Sequence, residues 1–119
     1  MSIFKWQESE AVQLISPQDL KQWSSQSNAP LLIDVRDESD YGADQELLAS
    51  LSQDSRIQNI PITEFASHIN QLDPDQPLVL VCQVGQKSFN AASLLIQADF
   101  SCVYSLHGGM EALKRSAKE

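Results

Sequence analysis

The sequence is short of basic residues and has no long apolar run. Its 119 residues carry 8 Lys and Arg against 16 Asp and Glu, for a formal net charge of −8. Nucleic acid is bound by basic surfaces, so we do not expect it as a partner. No segment reaches the roughly 20 apolar residues of a membrane helix, and residues 1–8 lack the apolar core of a signal peptide. We therefore expect a cytoplasmic protein that does not contact a membrane.

Cysteine and histidine are also scarce, with two of each. These four residues stand too far apart for the short ligand spacings of a zinc site, so no metal is expected. In a reducing cytoplasm the two cysteines should be free thiols. Apolar residues make up 42% of the chain, which suits a single domain with one core. We place that domain at residues 11–119, after a polar leader at residues 1–10.

Apolar segments that suit strands alternate with segments that suit helices. The predicted strands are residues 12–15, 31–35, 57–60, 78–81 and 102–106. The predicted helices begin after the capping residues Ser16, Thr63 and Ser88, and at residues 45 and 110. Residues 37–44 are expected to form a polar turn. Uninterrupted apolar strands joined by crossover helices predict an α/β fold, with a central parallel sheet of about five strands and helices on both faces.

Cys82 follows the apolar strand at residues 78–81 and precedes a polar loop that leads into a helix. A helix N-terminus carries free N–H groups and roughly half a positive charge, and Lys87 adds a formal charge beside it. Both effects favour an anionic sulfur, so the pattern predicts a reactive thiolate in an anion-binding loop. The alternative is that Cys82 packs as a small buried hydrophobic residue, but the polar residues after it argue against that interpretation.

Three segments resemble motifs of the rhodanese family of sulfurtransferases. Cys82–Ser88 resembles the active-site loop, Leu32–Arg36 the N-terminal I-D-x-R signature, and Leu106–Met110 the C-terminal L-x-G-G segment. The three occur in the family's order, and the resemblance extends from about Ile15 to Lys114. It implies the three-layer fold of a rhodanese-like domain and the activity of a sulfurtransferase of the thiosulfate sulfurtransferase type.

The resemblance also implies roles for individual residues. Cys82 would attack the outer sulfur of a small anionic donor, thiosulfate or a persulfide, and pass that sulfur as a Cys82 persulfide to a thiol or protein acceptor. No cofactor is needed, and we expect a monomer. The loop would bind the donor through its backbone N–H groups and the charge of Lys87; the loop residues are Gln83, Val84, Gly85, Gln86, Lys87 and Ser88. Asp34 and Arg36 are interpreted as a structural ion pair that supports the site.

The chain departs from the family pattern in residues 42–56. Most relatives carry a compact H-I-P-G-A segment there, whereas this chain has a longer stretch that contains Leu and Ser. The pocket wall near Asp34 should therefore be built differently, which affects substrate specificity more than it affects the fold.

Two other functions remain open at this stage. One is a rhodanese-like module that relays sulfur between proteins or serves as a binding domain, which the departing segment and the acidic surface allow. The other is a phosphatase or arsenate reductase with a C-x5-R loop, but the sixth residue after Cys82 is Ser88, which lacks the guanidinium that a phosphoryl group needs. Cys102 is expected to be a structural strand residue rather than the partner of Cys82 in a disulfide.

Overall fold

The strands of this chain meet in one parallel sheet. The computed structural model describes residues 12–51 and 56–117, so the leader predicted at residues 1–10 lies outside the described residues. The strands are β1 (Gln13–Ile15), β2 (Leu31–Asp34), β3 (Ile57–Asn59), β4 (Leu78–Val81) and β5 (Val103–Leu106), in the spatial order β1-β5-β4-β2-β3. Every neighbouring pair is parallel, as predicted.

Six helices in the described part of the chain cover the two faces of the sheet. They are α1 (Pro17–Ser24), α2 (Glu38–Ala43), α3 (Gln45–Leu51), α4 (Ile62–His68), α5 (Gln86–Gln97) and α6 (Gly109–Ala117), and a 3₁₀ turn at Ile69–Gln71 follows α4. Alternate residues of a strand point to opposite faces. Accordingly Ile33 and Leu80 pack with side chains of α4 and α5, whereas Leu32 and Val79 pack with those of α1, α3 and α6. The predicted three-layer α/β architecture is confirmed.

None of the helices within residues 12–51 and 56–117 is long and apolar enough to cross a bilayer.

The helix starts follow the prediction at α1 and depart from it at α4. α1 begins as predicted, because the N–H of Asp19 donates to the Ser16 side chain at 3.1 Å. The predicted cap at Thr63 is wrong, since α4 starts at Ile62, two residues earlier than predicted, and Pro61 takes the N-cap position. Proline has a fixed φ and lacks an N–H, which suits the entry to a helix, and its carbonyl accepts from the N–H of Glu64 at 2.8 Å.

The stretch at residues 37–44, predicted as a turn, contains α2. Glu38 and Asp40 lie in the first turn of this helix, where negative charge interacts favourably with the helix dipole. Tyr41 packs against the same side of the core as Leu48 of α3. The turn prediction is wrong because tertiary packing overrides the weak helix propensity of these polar residues.

The strand order brings the three sequence motifs together. β4 lies between β2 and β5, and all three strands run in the same direction. Arg36 follows the end of β2, Cys82 follows β4 directly, and the Gly108–Gly109 pair follows β5. Parallel strands end at one edge of a sheet, so that edge is the expected site of a ligand cleft.

Candidate active site around Cys82

The sulfur of Cys82 is surrounded by hydrogen-bond donors from its own loop. Cys82 is 2% exposed, and its Sγ accepts the N–H groups of Gly85 at 3.0 Å and Ser88 at 3.2 Å. The Ser88 Oγ lies 3.3 Å from the same sulfur. Two fixed backbone N–H groups therefore point at the sulfur.

Helix α5, which follows this loop, begins at Gln86. Gly85 takes the N-cap position with φ 99°, a left-handed conformation that glycine adopts without strain. Ser88 is therefore the third residue of α5, and the prediction that it caps the helix is wrong; its hydroxyl contacts Cys82 Sγ and the Gly85 carbonyl instead. The N–H groups of Gln86 and Lys87, in the first turn, have no partner within the helix.

The N-terminus of α6 holds the Cys82 loop from the other side. The N–H of Met110 donates to the Cys82 carbonyl at 2.8 Å, and that of Glu111 donates to the Gln83 carbonyl at 3.1 Å. This approach requires glycine at position 109, because a Cβ on Gly109 would lie 2.5 Å from the Cys82 carbonyl oxygen and the residue has φ +64°. The third motif is therefore part of the site.

Gly109→Ala should destabilise the protein by about 2–4 kcal/mol, because a methyl group would collide with backbone and the left-handed φ would be strained. Urea unfolding measures this loss. Gly42→Ala is the matched control: a Cβ there meets no atom within 4 Å, and alanine suits a helix better than glycine. A Gly109→Ala protein as stable as the Gly42→Ala protein would contradict the close contact between α6 and the loop.

Asp34 and Arg36 form a buried ion pair at the end of β2. The Arg36 Nε lies 3.1 Å from both carboxylate oxygens of Asp34, and Nη2 lies 2.8 Å from Oδ2. Burial alone would lower the pKa of Arg36, but hydrogen bonds and charges from Asp34 and Asp44 outweigh it and raise that pKa. Arg36 Nη1 also donates to the Gln83 side chain at 3.2 Å. The ion pair expected from the sequence is present and contacts the Cys82 loop.

Asp44 is a site residue that the sequence did not reveal. Its carboxylate binds Arg36 Nη1 at 2.8 Å and Lys114 Nζ at 3.3 Å. Partial burial would raise the pKa of Asp44, but the hydrogen bonds and charges of Arg36 and Lys114 together hold it below its usual value. Asp44 lies in the segment that departs from the family pattern. An acidic residue between two helices is usually an exposed surface residue, so the sequence gives no sign of its ion-pair partners and only the structure shows them.

Asp44→Asn should reduce stability at neutral pH by about 1 kcal/mol and have little effect in acid. Folding lowers the pKa of Asp44, so the Asp44 carboxylate contributes fully to the stability of the folded protein above its unfolded pKa of about 4. This contribution is lost as the pH falls through the pKa that Asp44 has in the folded protein. Urea unfolding near pH 7 and near pH 3 measures the difference in the free energy of unfolding between wild type and Asp44→Asn. This difference should be smaller near pH 3. An equal difference at both pH values would argue against the ion pairs.

A cleft of about 610 Å³ opens in front of Cys82. Its walls come from the Cys82 loop, from the end of β2, from α2 and Asp44, and from Ile62 and Lys114. Among the loop residues predicted to bind the donor, those that line the cleft are Gln83, Val84, Gln86 and Lys87. Gly85 and Ser88, in contrast, contact the sulfur itself.

The charged side chains that line the cleft balance one another. The cations are Arg36, Lys87 and Lys114, and the anions are Asp37, Asp40 and Asp44. Arg36 and Lys114 are both paired with Asp44. Lys87 takes part in none of the ion pairs found within the described ranges, and its side chain is exposed. Among the cations that line the cleft, Lys87 is therefore the one without an ion-pair partner in the described residues.

Cys102 lies at the opposite edge of the sheet from Cys82. Its carbonyl accepts the N–H of Leu78, the first residue of β4, at 3.0 Å, whereas Cys82 follows the last residue of that strand. Four strand residues span about 13 Å, and a disulfide needs Cα atoms within about 7 Å. Both cysteines are free, and Cys102 precedes β5 directly rather than lying within it.

The Cys82 loop presents no guanidinium to a phosphoryl group. Ser88, at the sixth position after Cys82, is buried against the sulfur, and Arg36 is held by two carboxylates. The described residues also contain no group of three or more His, Cys, Asp or Glu arranged to hold a metal ion. The loop does not fit the phosphatase alternative.

Comparisons with known proteins point to one family. The sequence model of the rhodanese-like domain matches residues 16–116. The chain is 37% identical over 103 residues to the thiosulfate sulfurtransferase GlpE of Pseudomonas paraeruginosa, over 87% of this chain and 84% of that protein. A rhodanese-like domain protein from Staphylococcus aureus superposes with a TM-score of 0.71 at 19% identity, over 86% of this chain and 91% of that one. The human single-domain sulfurtransferase superposes with a TM-score of 0.67 at 20% identity, over 86% and 95% of the two chains.

Proposed function

Because this chain belongs to the rhodanese family and is a sulfurtransferase of the rhodanese type, we propose that it carries sulfane sulfur as a persulfide on Cys82. The observation that supports this most directly is the Cys82 sulfur, which accepts two backbone N–H groups and lines the cleft. The proposed donor is thiosulfate, which appears in the name of the Pseudomonas relative. The proposed acceptor is a small thiol or a protein thiol in the cytoplasm.

The reaction proceeds in two displacements at sulfur. The Cys82 thiolate attacks the outer sulfur of thiosulfate, a new S–S bond forms, and sulfite leaves with the electron pair of the old S–S bond. An acceptor thiolate then attacks the outer sulfur of the Cys82 persulfide and releases the Cys82 thiolate. The two steps need no metal and no organic cofactor, because no electron is gained or lost overall.

The loop residues act on the two sulfur atoms in different ways. Gly85 and Ser88 donate N–H groups to Cys82 Sγ and favour its anionic form. Gln86 and Lys87, whose N–H groups lie in the first turn of α5, are proposed to bind the outer sulfur and its persulfide anion. The Lys87 ammonium attracts the dianionic donor, although it lacks the bidentate geometry of arginine. Gln83 and Val84 shape the cleft mouth, while Asp34 and Arg36 hold the loop.

The alternative of a relay or binding module is not favoured. An inert binding module would not require a buried thiol that accepts two N–H groups. The Pseudomonas paraeruginosa relative is named as a thiosulfate sulfurtransferase, which is an enzyme.

Mass spectrometry of the intact protein after incubation with thiosulfate tests the proposal. We expect one extra sulfur atom per chain, located on the peptide that contains Cys82 and removed by cyanide. The Cys102→Ser protein is the control and should take up sulfur to the same extent. The absence of any adduct, or an adduct on Cys102, would overturn the proposed mechanism.

The balanced charge of the cleft leads to a prediction about substrate affinity. Asp44→Asn should lower the KM for thiosulfate by about two- to fivefold, because it removes one anion and releases Lys114 toward the cleft. Steady-state kinetics with cyanide as acceptor measures the change. Glu46→Gln removes the same charge from an exposed site outside this cleft and should leave KM unchanged. An unchanged or raised KM for Asp44→Asn would contradict the prediction.

A further inference from the structure

A second buried hydroxyl lies behind the Cys82 site, on the last strand. The Oγ of Ser105 in β5 is 2.7 Å from the Oγ of Ser88, which is 3.3 Å from Cys82 Sγ. Cys82 is 2% exposed, and both serines are 0% exposed. A chain of two hydroxyl groups therefore leads from the reactive sulfur into the interior of the sheet.

The position of Ser105 is otherwise an apolar one. Ser105 pairs with Leu80 of β4 on one side and with Leu14 of β1 on the other. A buried hydroxyl at such a position is unfavourable unless it is hydrogen-bonded. Within the described residues Ser88 Oγ is the one hydrogen-bond partner of the Ser105 hydroxyl. Alanine would fill nearly the same space, so packing alone does not require a hydroxyl here.

Either hydroxyl of the Ser88–Ser105 pair could be the donor, and the surrounding contacts favour one arrangement. A buried hydroxyl gives its proton to an acceptor, and Ser88 is the acceptor that Ser105 has. Donation from Ser105 to Ser88 Oγ is the arrangement that gives the Ser105 proton an acceptor. The proton of Ser88 is then directed either to the Gly85 carbonyl, at 3.2 Å, or to the sulfur of Cys82.

The protonation state of Cys82 decides between those two acceptors. When Cys82 is a thiol, its S–H donates to Ser88 Oγ, and Ser88 donates to the Gly85 carbonyl. When the proton leaves Cys82, the Ser88 hydroxyl turns and donates to the anionic sulfur. Ser105 donates to Ser88 in both states, and this donation strengthens the Ser88 hydroxyl as a donor.

We propose that Ser105 is a positioning residue, which acts through Ser88 to stabilise the anionic sulfur of Cys82. This inference rests on the proposed role of Cys82 as the nucleophile. Ser105 does not contact the cleft, so its contribution is to the charge state of the sulfur rather than to donor binding.

The pH dependence of alkylation by iodoacetamide tests the proposal without any sulfur donor. The experiment uses a Cys102→Ser background, so that Cys82 is the one thiol. Ser105→Ala should move the midpoint of the rate profile to higher pH and slow alkylation near neutral pH by about three- to tenfold. Ser24→Ala is the matched control, because the buried Ser24 Oγ has no hydrogen-bond partner among the described residues. It should leave the profile unchanged.

Two further comparisons separate the hydroxyl from the shape of the side chain. Ser105→Thr and Ser105→Val have nearly the same shape, and only threonine keeps the hydroxyl; the threonine protein should alkylate faster near neutral pH. In a Ser88→Ala background, Ser105→Ala should produce no further shift, since the two serines act in series. The proposal would be overturned if wild type and Ser105→Ala had equal rate profiles, or if Ser105→Thr and Ser105→Val did. It would also be overturned if Ser105→Ala shifted the profile as much in the Ser88→Ala background as it does when Ser88 is present. Failure of thiosulfate to load the wild-type protein would instead count against the proposed donor.

Discussion

Cys82→Ser should abolish sulfur transfer, with a loss in kcat/KM of at least about a thousandfold. A serine hydroxyl is not ionised near neutral pH and cannot form a persulfide, so the first displacement has no nucleophile. The loop itself should remain folded, because serine can still accept the N–H groups of Gly85 and Ser88. Turnover of thiosulfate with cyanide as acceptor measures the loss of sulfur transfer. The mass of the protein after incubation with thiosulfate shows whether a persulfide forms.

The control for Cys82→Ser is the same substitution at the other cysteine. Cys102→Ser removes a thiol at the far edge of the sheet and should retain wild-type turnover. The urea unfolding midpoints of the two variants should be close to each other. Turnover by Cys82→Ser within about tenfold of wild type would show that another group accepts the sulfur and would exclude Cys82 as its carrier.

Arg36→Met should destabilise the protein by about 3–5 kcal/mol, the second large effect we expect. Asp34 is 1% exposed and would lose the guanidinium that lies within 3.1 Å of both of its carboxylate oxygens. A buried carboxylate without a counter-charge is unfavourable, although the backbone N–H of residue 36 continues to reach Asp34 Oδ1 at 2.9 Å. Urea unfolding measures the loss.

Two comparisons show whether the buried charge is the cause. Arg115→Met removes an exposed arginine from α6 and should change stability by less than about 0.5 kcal/mol. The double variant Asp34→Asn with Arg36→Met should recover part of the stability that Arg36→Met loses, because no buried charge is left unpaired. A single Arg36→Met variant as stable as Arg115→Met would mean that the ion pair does not hold the end of β2.

Much of the fold follows from patterns that are local in the sequence. The apolar strand before Cys82 and the polar loop after it place the cysteine at the carboxyl end of a buried parallel strand, and the structure agrees. Asp34 and Arg36 are two residues apart, so their ion pair was also predictable.

The remaining features depend on contacts between distant parts of the chain. Ser105 meets Ser88 because β5 lies beside β4, and no spacing in the sequence encodes that adjacency. Asp44 binds Arg36 and Lys114 for a similar reason, since β2, α6 and the segment between α2 and α3 converge there. The wrong prediction that Ser88 caps α5 has a local cause. Gly85, in a left-handed conformation, is the N-cap of α5, so the helix begins before Ser88 and the serine side chain contacts the Cys82 sulfur instead.

The contact between α6 and the Cys82 loop has a consequence for the biosynthesis of the protein. The Cys82 and Gln83 carbonyls are held by N–H groups of Met110 and Glu111, from the last helix. A ribosome must therefore translate almost the whole domain before these donors exist. A nascent chain that stops short of α6 lacks the two N–H groups that hold the backbone carbonyls of Cys82 and Gln83. The contacts that fix the backbone beside Cys82 are therefore complete only when synthesis of the domain is nearly complete.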